Sequence, residues 1–200
     1  MAALSLIAPA LRAKTPEVVS FPSGDKTLHG LLYKPPGAGP FRTVLYNHGS
    51  APGLLNNEAF ARLAPLFTNR GWAFFAPYRR GQGLSADAGP YIGKEISAAE
   101  ARGGLSLAVA TAVRLLDTQQ FADQMAALAW LEQQPFTRHE PIAVMGNSFG
   151  GVETVLGATN IRYCAAVDAA GGAESWDKAP ALRVLMTNAV EHTKIPILFI

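Results

Sequence analysis

Residues 141–157, reading PIAVMGNSFGGVETVLG, constrain this chain more than any other stretch. An apolar run at 142–145 passes through closely spaced glycines into 152–158, which can continue as a helix. At the apex, Gly146-Asn147-Ser148-Phe149-Gly150 fits the pattern Gly-x-Ser-x-Gly. A serine on a sharp strand-to-helix turn has strained backbone angles and close neighbours on both sides. Side chains at 146 and 150 would therefore collide with strand or helix. Such a turn lifts the hydroxyl clear of a sheet and aims the first helix amides at the same point, where charge developing on an oxygen would be stabilised. The pentapeptide alone also fits an ordinary glycine-rich turn; its setting between an apolar run and a helix favours the first reading.

The rest of the chain supplies a matching frame. Residues 17–21 and 28–33 flank Ser23-Gly24-Asp25, which predicts an antiparallel hairpin at a sheet edge. Residues 43–46 form an apolar, β-prone run leading into Asn47-His48-Gly49-Ser50-Ala51-Pro52-Gly53. Phe60, Leu63 and Phe67 recur at helical spacing, Gly71 ends that helix, and 72–76 reads as another strand. A glycine-punctuated loop, PYRRGQGLS, occupies 77–85. Leu105, Val109, Val113 and Leu116 mark one helix, and Phe121, Met125, Leu128 and Leu131 mark a second. Residues 163–167 and 195–200 are later strands, separated by 175–190 with helical character. Strands that are apolar throughout and alternate with helices predict an α/β fold, a mostly parallel sheet covered on both faces. Functional loops then lie at the carboxyl ends of the strands, where both His48-Gly49-Ser50 and Ser148 fall.

Composition narrows the function. Of 200 residues, 49% are hydrophobic and 16% charged, enough apolar material for one soluble globular domain. The net charge is +2 and the 17 Lys and Arg residues are scattered, so no basic stripe points to nucleic acid or an anionic membrane, and a small molecule is the expected partner. The N-terminal MAALSLIAPALRA has no basic residue ahead of its apolar run and is too short to span a membrane. Residues 1–15 read as an extension and 16–200 as the domain. The lone cysteine, Cys164, excludes an intramolecular disulfide framework and fits a reducing, cytoplasmic setting; lying in an apolar run, it is expected to be buried. Oligomeric state has no signature in the sequence.

Taken together, NHGSAPG, PYRRGQGLS and GNSFGG resemble the α/β-hydrolase superfamily, in its dienelactone-hydrolase and prolyl-oligopeptidase-like branch, over roughly residues 17–200. The resemblance implies that Ser148 is a nucleophile and that the backbone N–H groups of Phe149 and Ser50 form an oxyanion hole, with Ala51 as a substitute for Ser50. His48 then belongs to the oxyanion loop, its ring bracing that loop, and a role as catalytic base is the minor alternative. His29, His139 and His192 read as surface or loop-packing residues, the last two at the wrong ends of strands. Arg79-Arg80-Gly81-Gln82-Gly83 could cradle an anion, but a structural turn tied by arginine to nearby carbonyls is preferred. Glu153 is expected to complement the helix N-terminus. Histidines are dispersed, no cysteine pair exists, and carboxylates form no ligand-spaced cluster, so no metal site is expected. Ala86 stands where a dinucleotide fingerprint needs its third glycine, and no cofactor is expected.

The activity implied is hydrolysis of carboxylic esters or thioesters through an acyl-enzyme on Ser148. Dienelactone hydrolases carry cysteine at this position, which moves the expectation from a dienelactone to an ester. The alternatives are an acyl-peptidase or aminopeptidase-like amide hydrolase and a non-catalytic hydrolase-like binding module. Superfamily chain order is Ser, acid, His, with the acid after the strand at 195–200 and the His one strand later. The triad His and its acid are therefore expected beyond Ile200, the domain being truncated before its last strand and helix. Asp168 is the alternative acid. The apolar strand at 195–200 is expected to be buried in a complete sheet. Residues 105–116 are expected either to shape acyl specificity near the cleft or simply to cover the sheet.

Overall fold

The structure, a computed structural model, describes residues 15–50 and 58–200. The alternative oxyanion residue Ala51 and nearly all of the N-terminal extension lie outside the described residues. Strands β1 (Glu17–Ser23) and β2 (Lys26–Tyr33) pair antiparallel from Glu17 opposite Leu32 to Ser23 opposite Lys26. The turn is thus Gly24-Asp25, one residue shorter than the sequence suggested, with Gly24 supplying a left-handed φ of 61°. β2 pairs antiparallel with β4 (Trp72–Pro77). From there the sheet is parallel, through β3 (Arg42–Asn47), β5 (Ile142–Asn147), β6 (Tyr163–Ala169) and β7 (Ile197–Phe199), in the order β1-β2-β4-β3-β5-β6-β7.

Helices cover both faces, as continuously apolar strands require. On one face, α1 (Glu58–Thr68) sets Phe60 and Ala64 against Val44, Tyr46 and Phe74. On the other, α3 (Phe121–Glu132) sets Leu128 and Leu131 against Leu45, Phe75, Ile142 and Val144. Beside it lies α4 (Phe149–Gly157), whose Val152 and Val155 join Leu116 and the Leu182 and Met186 side chains of α5 (Pro180–Glu191). Helix α5 starts later than the apolar pattern implied, because Pro180 fits the first helical turn and 173–175 form a short 3-10 turn of their own.

Helix α2 (Ile92–Leu115) extends well before the expected start at Leu105. Gly103 (φ −147°, ψ 19°) and Gly104 (φ 69°, ψ −169°) break it, so that 105–115 is a separate helical segment, as its leucine and valine spacing indicated. One burial expectation is corrected. Cys164 is exposed: the β5–β6 register jumps from Ile142 opposite Tyr163 to Ala143 opposite Ala165, leaving Cys164 as the extra residue of a bulge. The strand near 195–200 is short and outermost in the sheet. With β6 alone beside β7, Leu198, Phe199 and Ile200 are 57%, 53% and 72% exposed. Among the described residues, no helix is long and apolar enough to cross a membrane.

Candidate active site

Ser148 has φ 53° and ψ −117° where β5 passes into α4. Among the described residues, Ser148 and Ala170 (φ 55°), just past the end of β6, are the non-glycine residues with positive φ. Such a conformation costs about 1–3 kcal/mol and persists only where neighbours enforce it. Here the Ser148 N–H donates to Ala169 O at 2.8 Å, and Ser148 O accepts from the N–H groups of Gly151 (2.9 Å) and Val152 (3.2 Å). The two motif glycines are required by contact. A Cβ on Gly146 would overlap the Gly150 carbonyl, and one on Gly150 would overlap the carbonyls of Asn47 and His48.

The second overlap explains how residues about a hundred positions apart meet. Parallel pairing places Asn47 beside Gly146, and the first turn of α4 packs directly on the Asn47 and His48 carbonyls. A Cβ built on Gly49 would lie 3.6 Å from Ser148 Cβ. Phe149, the first residue of α4, has a backbone N–H with no acceptor inside the helix. Ser50 lines the same cavity as Ser148, and its Oγ bonds the Tyr91 hydroxyl at 2.8 Å, a contact that nothing in the sequence flagged. The Ser148 hydroxyl caps no amide of its own helix.

Behind the loop, Arg79 and Glu153 form a buried ion pair, Nη1 to Oε2 2.5 Å. The Arg79 guanidinium also donates to His48 O (2.7 Å), Gly49 O (3.0 Å) and Gln82 Oε1 (3.2 Å), and it stacks 5.7 Å from the centre of the Phe149 ring. This is the carbonyl-tying arginine expected from the sequence. Arg80 bonds Asp123 bidentately, at 2.8 and 2.6 Å. Both guanidiniums are occupied, and the loop at 79–83 is a structural turn. The expectation for Glu153 is corrected: its carboxylate turns from the helix N-terminus to Arg79. The missed signal was a single charged side chain in the mostly apolar segment VETVLG, which implies a buried partner. Burial pushes the Glu153 carboxyl up to about 7, with Arg79 pulling it part of the way back.

His48 is buried and fully engaged. Nδ1–H donates to Gly49 O at 2.7 Å, and Nε2 accepts the Arg79 backbone N–H at 3.3 Å. The 3.2 Å approach of Arg79 Nη2 to Nδ1 is then a packing contact, because Nδ1 carries the proton. Burial first, and Arg79 second, hold the ring well below its usual pKa, so it is neutral. The ring braces the loop and has no nitrogen left for Ser148. His29 lies on β2 with Nδ1 against Ser20 Oγ; His139 is exposed at the amino end of β5; His192 is exposed at the end of α5 with Nδ1 on Asn188 O. Asp168 is the penultimate residue of β6, its Oδ1 accepting the Gly171 N–H at 2.8 Å, and burial raises its pKa. Among the described residues, no group of His, Cys, Asp and Glu is arranged to hold a metal ion.

In front of Ser148 lies a cavity of about 350 Å³. Val109, Val113, Leu116, Val152 and Leu182 form its apolar wall, while Glu100, Glu174 and Lys178 also line it from exposed positions. Both segments of α2 reach it, Ile96 before the Gly103-Gly104 break and Leu105 after it.

Known proteins share this architecture. The prolyl oligopeptidase family matches residues 107–178. Acylaminoacyl peptidase from Pyrococcus horikoshii superposes with a TM-score of 0.62 at 18% identity, over 93% of this chain and 31% of its own. Est1E from Butyrivibrio proteoclasticus, with ferulic acid bound, gives 0.64 at 15% identity over 90% and 77%. A Klebsiella pneumoniae protein assigned to the dienelactone hydrolases gives 0.61 at 18% over 92% and 84%. The chain spans about a third of the length of the acylaminoacyl peptidase. No curated protein sequence matches it. The fold is therefore that of the α/β hydrolases. The family match and these neighbours support the dienelactone-hydrolase and prolyl-oligopeptidase-like branch within it.

Proposed function

We propose that this chain carries the nucleophile of a serine hydrolase acting on carboxylic esters, thioesters included, through an acyl-enzyme on Ser148. The observation that carries the reading is the strained Ser148 backbone at the β5–α4 turn, beside the His48-Gly49-Ser50 loop and facing an apolar cavity. In the proposed reaction Ser148 Oγ attacks the ester carbonyl carbon as a base removes its proton. The carbonyl oxygen becomes an oxyanion held by the N–H groups of Phe149 and Ser50. Collapse breaks the ester C–O bond, the alcohol leaves with the proton from the base, and water releases the acid by the same route.

The base and its acid are proposed to follow Ile200. Ala170 N–H donates to Ile200 O at 2.9 Å, one residue past the Ala169 carbonyl that holds Ser148, so chain leaving β7 emerges beside the nucleophile. Asp168 is the alternative acid, at the carboxyl end of β6. An ester is preferred to a peptide because most of the cavity wall is apolar, suited to the hydrocarbon of an acyl or alkoxy group and not to paired amides. Amide hydrolysis is the second reading, favoured by the prolyl oligopeptidase match. Turnover of a short-chain nitrophenyl ester by the full-length protein tests the proposal. Ser148→Ala should abolish it, and the wild-type protein should hydrolyse an acyl-peptide far more slowly than the ester if esters are the substrate class. Residual ester turnover near wild type in Ser148→Ala would overturn the assignment, and a folded protein inactive on both classes would make it a binding module.

A further inference from the structure

The Arg79–Glu153 pair is buried, with side chains 5% and 1% exposed. Stability alone is a poor account of it, since a buried ion pair is often no better than apolar residues of similar volume. Its geometry suggests another use. Gly49 O and the Ser50 N–H belong to one planar trans peptide, so they point in opposite directions. Gly49 O is gripped from behind by Arg79 Nη2 at 3.0 Å and His48 Nδ1 at 2.7 Å. Anchoring that carbonyl fixes the direction of the Ser50 N–H on the far side of the same plane. The charged donor also polarises the peptide, which strengthens the N–H as a donor. Glu153 in turn ties Arg79 to α4, one helical turn from Phe149, whose ring stacks on the guanidinium.

We propose that the Arg79–Glu153 pair positions the oxyanion hole, fixing the Ser50 N–H in direction and in its separation from the Phe149 N–H. The proposal rests on the reading of Ser148 as nucleophile. Arg79 and Glu153 are positioning residues: they act through the Gly49–Ser50 peptide and the start of α4. Their loss should therefore affect the tetrahedral state and leave ground-state binding in the apolar cavity nearly intact.

The test uses the full-length protein, a short-chain nitrophenyl ester and phenylboronic acid, which mimics the tetrahedral adduct. Arg79→Met/Glu153→Met replaces the pair by apolar side chains. It should fold, lose about 10²-fold in kcat, the scale of removing one oxyanion donor, and keep KM within about threefold. Phenylboronic acid should weaken by a similar factor. Glu153→Gln and Arg79→Lys serve if the double variant does not fold. Lysine keeps the charge but cannot span both carbonyls and the carboxylate, so kcat should fall about tenfold with KM unchanged. Wild-type kcat in a folded double variant, or in both single variants, would overturn the proposal, as would a loss confined to KM. If wild type and Ser148→Ala turn over the ester equally, the nucleophile reading fails and this inference falls with it, an outcome the wild-type control identifies separately.

Discussion

Replacing Ser148 by glycine should abolish hydrolysis and at the same time make the protein more stable than Ser148→Ala. The native φ of 53° and ψ of −117° are disfavoured for any residue with a Cβ, and the strain is about 1–3 kcal/mol. Alanine inherits that strain while removing the hydroxyl, so Ser148→Ala isolates the loss of chemistry. Glycine relieves it, against about 0.4–1 kcal/mol of extra chain entropy in the unfolded state. The net gain of Gly over Ala should be about 0.5–2 kcal/mol, or a rise of a few degrees in Tm for a domain of this size. Differential scanning calorimetry or urea titration of the two variants measures it. Ser148→Gly less stable than Ser148→Ala would refute the reasoning, because the turn would then be imposing no strain on residue 148.

Glu153→Gln should flatten the pH dependence of stability. With the folded carboxyl at about 7 and the ordinary value at 4.5, the folded state binds more protons in that window, so the contribution of Glu153 to stability is fully present below about 4.5 and is lost as pH rises through 7. The difference between wild type and variant should change by at most about 3 kcal/mol across the window; parallel stability curves would contradict it. Val113→Trp should fill the cavity in front of Ser148 and reduce kcat/KM for long-chain nitrophenyl esters about tenfold more than for acetate. An equal loss for all chain lengths would make 105–115 sheet-covering packing only.

The strand-to-helix turn at Ser148 and the alternation of strands and helices around it were legible because they depend on local constraints. Gly146 and Gly150 are small where backbone carbonyls approach, and apolar runs on both sides state the strand and the helix. The convergence of Ser50 and Ser148 followed from both lying at carboxyl ends of parallel strands. The brace behind the loop was half legible: Arg79 was read as tying carbonyls, but Glu153 was assigned to its own helix terminus. Partnership between residues 74 positions apart depends on how α4, packed on β3, β5 and β6, meets the loop that follows β4, which periodicity does not encode. Cys164 escaped for a related reason, since its exposure depends on a register shift set by two strands together. The first segment of α2 carries a short apolar register of its own, Ile92, Ile96 and Ala99, which the sequence reading passed over, and its end is set by the Gly103-Gly104 break.

The most direct measurement is the site of covalent modification by a fluorophosphonate in the full-length protein, mapped by peptide mass spectrometry. The reagent reacts only with an activated serine. The account predicts a single adduct on Ser148, in the peptide containing GNSFGG, absent from folded Ser148→Ala and slowed by excess ester substrate present during labelling. A folded wild-type protein that stays unlabelled, or one labelled at another serine, would contradict it.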